Sequence, residues 1–99
     1  MIRHLVMWQM KDGTSPQDAR DNAVRVKQAL EGLQGKIEGL VSIRVIIDLL
    51  PSSTRSMLLD SVFESEAALA HYQNHPEHLK AAAIVRSVTQ DRVCMDFAE

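Results

Sequence analysis

Ile2-Arg3-His4-Leu5-Val6-Met7-Trp8-Gln9-Met10, running into the turn Lys11-Asp12-Gly13-Thr14, is the stretch that decides the fold. In a strand, successive side chains point to opposite faces. One face here carries Ile2, His4, Val6, Trp8 and Met10, and the other Arg3, Leu5, Met7 and Gln9. The first is apolar apart from His4 and the second still holds Leu5 and Met7, whereas an antiparallel sheet with one wet face alternates apolar with polar. The doubling recurs downstream. Leu5, Met7, Ile46, Leu58, Val62, Val93, Met95 and Phe97 fall on the parity opposite to Val6, Trp8, Val45, Leu59 and Cys94. Such a sheet has to be covered twice.

Helices supply one cover. Ser15 can cap a helix with Pro16 in its first turn, and Asp18 suits the positive helix end. Ala19, Ala23, Val26, Leu30 and Leu33 then recur in steps of four and three, an amphipathic stripe. Gly32, Gly35 and Gly39 end that segment. The β-branched run Leu40–Leu50 predicts a second strand, with Pro51-Ser52-Ser53-Thr54 as a hairpin connection to a third, Ser56–Phe63. Ser65 caps a second helix reaching Asn74, and Pro76 restarts the chain as a short helix, Glu77–Val85. Val88–Phe97 closes the chain as a fourth strand. This βαββαβ order predicts one α+β domain over 1–99, ferredoxin-like, with a four-stranded antiparallel sheet and helices on one face. The second cover is expected to be another copy of the chain, packed sheet to sheet as a homodimeric α/β barrel.

Composition removes several function classes. A formal charge of −2 with scattered basic residues gives no electrostatic footprint for nucleic acid. No apolar run reaches the roughly 20 residues that span a bilayer, and the amino terminus lacks a cleavable leader pattern. A cytoplasmic protein is therefore expected. Cys94 is the only cysteine, which rules out an internal disulfide and a cysteine-rich zinc site. Its place in an apolar strand pattern reads as a small core residue. The methionines read as fillers of core and interface gaps.

Proton-transfer capacity near neutral pH concentrates in His71-Tyr72-Gln73-Asn74-His75-Pro76-Glu77-His78, with His4 on the first strand. The spacing of His71, His75 and His78 could align metal ligands, but Pro76 interrupts the helix and no carboxylate cluster matches. No metal and no cofactor are expected. His71 reads as a surface residue and His75 as an N-cap. Leu69 and Tyr72 belong on the buried stripe of the second helix, with His78 beside the same sheet edge. His4, Val6 and Trp8 share a strand face, and Leu59 lies on the matching face of the third strand. These four are the expected wall of a ligand-binding pocket. A histidine near a phenol and a carboxylate, walled by apolar residues, suits general acid–base catalysis. On that reading His78 is the base, Tyr72 positions an oxygen and Asp96 orients the imidazole. The alternative is structural: Tyr72 packs with its hydroxyl at the rim, and His78 and Asp96 share a hydrogen bond. Nucleophile chemistry finds little support, because Ser42, Ser53 and Ser61 lack glycine-flanked elbows and Cys94 lacks a base.

The chain resembles the stress-responsive A/B barrel (Dabb) family. The resemblance is carried by Ile2-Arg3-His4-Leu5-Val6, Phe63-Glu64-Ser65-Glu66, Tyr72-Gln73-Asn74-His75-Pro76-Glu77-His78 and the end of the chain from Asp91-Arg92 to Asp96-Phe97. It implies a ferredoxin-like protomer and a homodimer packed through its sheets. Plant members are linked to stress, and one is similar to a cofactor-independent polyketide cyclase that closes a ring by aldol condensation. The matching positions here are Tyr72 and His78 as working residues, His4 in the pocket and Asp96 at the end of the last strand. Met57 stands where that cyclase has a further histidine, and Ala23, Val26 and Leu30 stand where it uses bulky aromatics. Three functions follow as expectations. The first is a cyclase- or lyase-like enzyme on a small carbonyl or polyketide-type compound. The second is a non-catalytic small-molecule-binding or stress-response protein. The third, by fold analogy, is a cofactor-free monooxygenase.

Overall fold

The computed structural model describes residues 1–99. Its elements are β1 (Ile2–Met10), α1 (Pro16–Glu31), β2 (Leu40–Ile46), β3 (Met57–Phe63), α2 (Glu66–Asn74), α3 (Pro76–Val88) and β4 (Thr89–Ala98). All neighbouring strands run antiparallel in the order β2-β3-β1-β4, so the first strand lies inside the sheet and the last forms an edge. The expected α+β, ferredoxin-like arrangement is present.

Local chemistry sets the helix starts. Ser15 Oγ accepts from the Asp18 N–H at 3.2 Å, and Ser65 Oγ from the Ala68 N–H at 3.1 Å. His75 does cap a helix: its Nδ1 accepts from the Glu77 N–H at 3.1 Å, with Pro76 opening α3 behind it. That helix runs three residues past Val85. The Thr89 N–H and hydroxyl both turn back to the Val85 carbonyl, and this closes the last turn. The second strand, in contrast, stops at Ile46 rather than Leu50. Its last pair is Ile46 with Leu58, and beyond it the third-strand entry is held by β1 instead. The Ser56 N–H bonds the Trp8 carbonyl at 2.8 Å, and Ser56 Oγ accepts from the Met10 N–H at 3.1 Å.

The helices cover one face of the sheet. Val6, Trp8, Val45, Met57, Leu59 and Phe63 pack there against Val26, Leu30, Leu69, Tyr72 and Val85, all buried. Gly39 lets the chain enter β2 beneath α2. Its φ is +87°, and a Cβ built there would stand 2.5 Å from the Ala68 Cβ. Gly39→Ala is expected to cost about 1–2 kcal/mol for the left-handed backbone and about 1–3 kcal/mol for the overlap. A urea-unfolding midpoint equal to that of the parent protein would contradict this.

The other face is open. Leu5, Met7, Ile46, Leu58 and Val62 are half-buried on it, and Val93, Met95 and Phe97 are 38%, 62% and 40% exposed. A charged knot that the apolar pattern did not show sits among them. Asp60 takes Arg3 at 2.6 Å and Arg44 at 3.3 Å, and Glu99 takes Arg3 at 2.8 Å. Cys94 requires a correction as well. It is exposed rather than in the core, because β4 is the edge strand and its inner side opens to solvent at Cys94. No helix is long and apolar enough to cross a membrane.

Candidate functional site

A cavity of about 230 Å³ opens between the sheet and the helices. Its floor is Val6 and Trp8 of β1 and Leu59 of β3, with Leu30 of α1 beside them. Across it stands α3, presenting His78, Ala82, Val85 and Arg86, and the edge strand adds Arg92. His4 completes the lining. All four expected wall residues, His4, Val6, Trp8 and Leu59, therefore meet His78 in one place. A larger depression of about 460 Å³ lies along α1 and β2. Its polar residues include the ion pairs Arg20–Asp48 and Lys27–Glu31, and it contains no histidine.

Each cavity histidine is held through its Nδ1. His4 is buried, and its Nδ1 is hydrogen-bonded to the Asp96 carboxylate directly across the β1–β4 ladder. Since a carboxylate only accepts, Nδ1 carries the proton in this contact. The Ser61 hydroxyl donates to the His4 carbonyl at 2.9 Å and pins the backbone behind the ring. His78 Nδ1 donates to the Gln73 carbonyl at 3.3 Å, so the neutral ring keeps its basic lone pair on Nε2. Half-burial pushes the His78 pKa below the ordinary imidazole value, opposed by the Gln73 carbonyl and reinforced by His4, Arg86 and Arg92. His78 is thus held neutral near pH 7.

Two expected roles change. Asp96 is bound to His4 and not to His78. Register explains this: Asp96 pairs directly with His4 in the sheet, whereas His78 sits on α3 and finds a helix-end carbonyl first. Tyr72 packs behind the cavity instead of lining it. Its ring lies 4.1 Å from the His78 ring and 4.8 Å from Phe63, centroid to centroid. Its hydroxyl is neither at the rim nor hydrogen-bonded; it is buried without a partner. Burial raises the Tyr72 pKa, so the phenol stays protonated. An unpaired buried hydroxyl costs about 1–3 kcal/mol. Tyr72→Phe is accordingly expected to raise the melting temperature. A clear drop would show that the hydroxyl has a partner in the folded protein.

His71, His75 and His78 do not assemble a metal site; His71 and His75 contact each other edge to face while His78 turns to the cavity. The group that could hold an ion is His4, Cys94 and Asp96, whose ligand atoms lie within 4.8 Å of one another. Cys94 Sγ stands 3.8 Å from His4 Nδ1 and 3.7 Å from the Asp96 carboxylate. The His4 nitrogen and the carboxylate already bind each other. Burial and the Asp96 charge push the thiol pKa up. As they stand, these groups form a hydrogen-bonded cluster.

Arg86 and Arg92 also line the cavity, and neither is among the site residues expected from the sequence. Arg86 follows His78 and Ala82 in steps of four, a helical face hidden by ending the helix at Val85. Arg92 is placed by a bulge: Met7 pairs with Val93 and Gln9 with Gln90, so Asp91 and Arg92 both stand opposite Trp8.

The stress responsive A/B barrel domain model matches residues 2–99. The chain belongs to that family. Among solved structures, this Dabb chain is similar to a dimeric, ferredoxin-like protein of unknown function from Bacteroides fragilis. The TM-score is 0.91 at 26% identity, covering 99% of this chain and 95% of that one. A dimeric ferredoxin-like protein from Thermobifida fusca, also of unknown function, matches at TM-score 0.83 and 29% identity, covering 99% and 90%. The hydroxynitrile lyase of Passiflora edulis shares the fold at TM-score 0.78 and 18% identity, covering 97% and 90%. No functionally curated protein matches the chain.

Proposed function

We propose that this Dabb protein is a homodimeric, cofactor-independent enzyme performing cyclase- or lyase-type acid–base chemistry on a small carbonyl compound. One observation carries the reading: His78 lines an apolar cavity as a neutral base, with its Nδ1 tied back to Gln73. Such a base, with pKa below the working pH, is ready to take a proton. His78 Nε2 removes a proton from the carbon next to a carbonyl. The resulting enolate attacks a second carbonyl of the same molecule, and the imidazolium returns its proton to the new alkoxide. Run in reverse, the same proton path breaks a carbon–carbon bond. Asp96 acts through His4, fixing the tautomer of the second imidazole on the cavity wall. Tyr72 acts as a platform, its ring against that of His78. The Passiflora protein supports the reading to the extent that this fold can host a lyase.

Isotope exchange tests it without knowledge of the substrate. In deuterated buffer the protein is expected to exchange the α-protons of some members of a panel of aryl methyl ketones and 1,3-diketones, followed by NMR. Binding without any exchange above buffer would overturn the enzymatic reading. It would favour a non-catalytic small-molecule-binding protein instead. The buried, unpaired Tyr72 hydroxyl favours that second reading, since it cannot reach a ligand as placed.

A further inference from the structure

We infer that the ligand of this cavity is a small monocarboxylate, its apolar or aromatic body against Trp8, Val6 and Leu59 and its carboxylate on Arg86 and Arg92. The inference rests on the reading of the cavity as a binding pocket and adds the ligand's charge to it. Among the lining residues the two charged side chains are both arginines, and none is an aspartate or glutamate. This is unexpected in a chain of net charge −2. Arg3, Arg20 and Arg44 are each matched by a carboxylate, whereas Arg25, Arg55, Arg86 and Arg92 have no ion-pair partner, and of those four only Arg86 and Arg92 line this cavity. Asp96, on the same strand as Arg92, is bound to His4.

The two cations come from different elements and converge on one mouth. Arg86 is in the last turn of α3, and Arg92 is brought opposite Trp8 by the bulge, where Asp91 takes a φ of 55°. Bulges that re-aim one side chain are enriched beside binding sites. A planar guanidinium fork matches a carboxylate in two parallel hydrogen bonds. Both positive charges also reach His78, whose protonation they oppose. The same field favours an anion. Size limits the rest of the ligand. An apolar cavity of about 150 Å³ holds benzene, so about 230 Å³ suits one ring with a short acidic arm.

Trp8 is the chain's single tryptophan and lines the cavity, so its fluorescence reports occupancy. Phenylacetate and its uncharged isostere phenylacetamide are titrated against the full-length protein at low and high salt. Phenylacetate is expected to bind at least tenfold more tightly, about 1.4 kcal/mol, with a preference that shrinks as salt rises. In the Arg86→Gln/Arg92→Gln double variant, both sites being exposed, the preference is expected to vanish, acid and amide then binding with equal affinity. Equal binding of acid and amide overturns the inference and leaves the pocket standing. A preference that survives the double variant overturns the two arginines as its source. Binding of neither compound, by fluorescence and by saturation-transfer NMR, overturns the inference together with the pocket.

Discussion

His78→Ala is expected to slow the isotope exchange by about 10²–10⁴-fold, the usual contribution of a positioned general base. The fold should survive. His78 is half-buried, and its removal forfeits one hydrogen bond to the Gln73 carbonyl and the contact with the Tyr72 ring. Those losses amount to about 1 kcal/mol, against the 5–15 kcal/mol that holds a typical domain together. Circular dichroism and sedimentation of the variant should therefore match the parent. The pH profile supplies an independent check. The base works when deprotonated, and burial together with Arg86 and Arg92 lowers its pKa. Exchange should rise with pH and reach its plateau with a midpoint below the ordinary imidazole value. A midpoint above that value, or a variant that retains its rate, would assign the proton transfer to another group, and His4 with Asp96 would be the next pair to test.

Met95→Glu combined with Phe97→Glu is expected to leave the chain monomeric. Both side chains stand on the open face of β4, and they are 62% and 40% exposed. On the same face Leu5 is paired with Met95 and Met7 with Val93 across the β1–β4 ladder. Burying an apolar side chain of this size contributes about 1.5–3 kcal/mol. Losing two such contacts on each protomer, and placing carboxylates in their stead, should raise the dimer dissociation constant by at least about 10²–10⁴-fold. Sedimentation velocity across a concentration series reads this directly. A variant that still sediments as an unweakened dimer would show that the protomers associate through another surface. The solved relatives from Bacteroides fragilis and Thermobifida fusca are dimeric, which is the reason to expect a dimer in the parent.

Much of this protein is written in local pattern. The alternation of Ile2–Met10, the caps Ser15 and Ser65, the stripe Ala23-Val26-Leu30 and the prolines at the helix starts each act within a few residues. Short-range chemistry of that kind is legible from a single chain. Strand parity likewise predicted that His4, Val6, Trp8 and Leu59 share a wall and that Val93, Met95 and Phe97 face away from the helices. Element ends were less legible, because they depend on partners. Ile47–Leu50 have strand-forming side chains, but the strand ends where its neighbour turns to β1 for its hydrogen bonds.

By itself, then, the sequence determined the order of elements, the two-faced sheet and the small set of side chains with proton-transfer chemistry. The tertiary structure alone decided how that chemistry is wired. Asp96 serves His4 because the β1–β4 register sets them face to face, although 92 positions separate them in the chain. Cys94 is exposed because β4 is an edge, and Arg92 reaches the cavity because a bulge turns it there. The Tyr72 hydroxyl is unpaired because α2 presses it into the core behind His78. The physical reason is common to all four. Periodicity says which face a residue occupies, but only register and packing say which residue stands opposite.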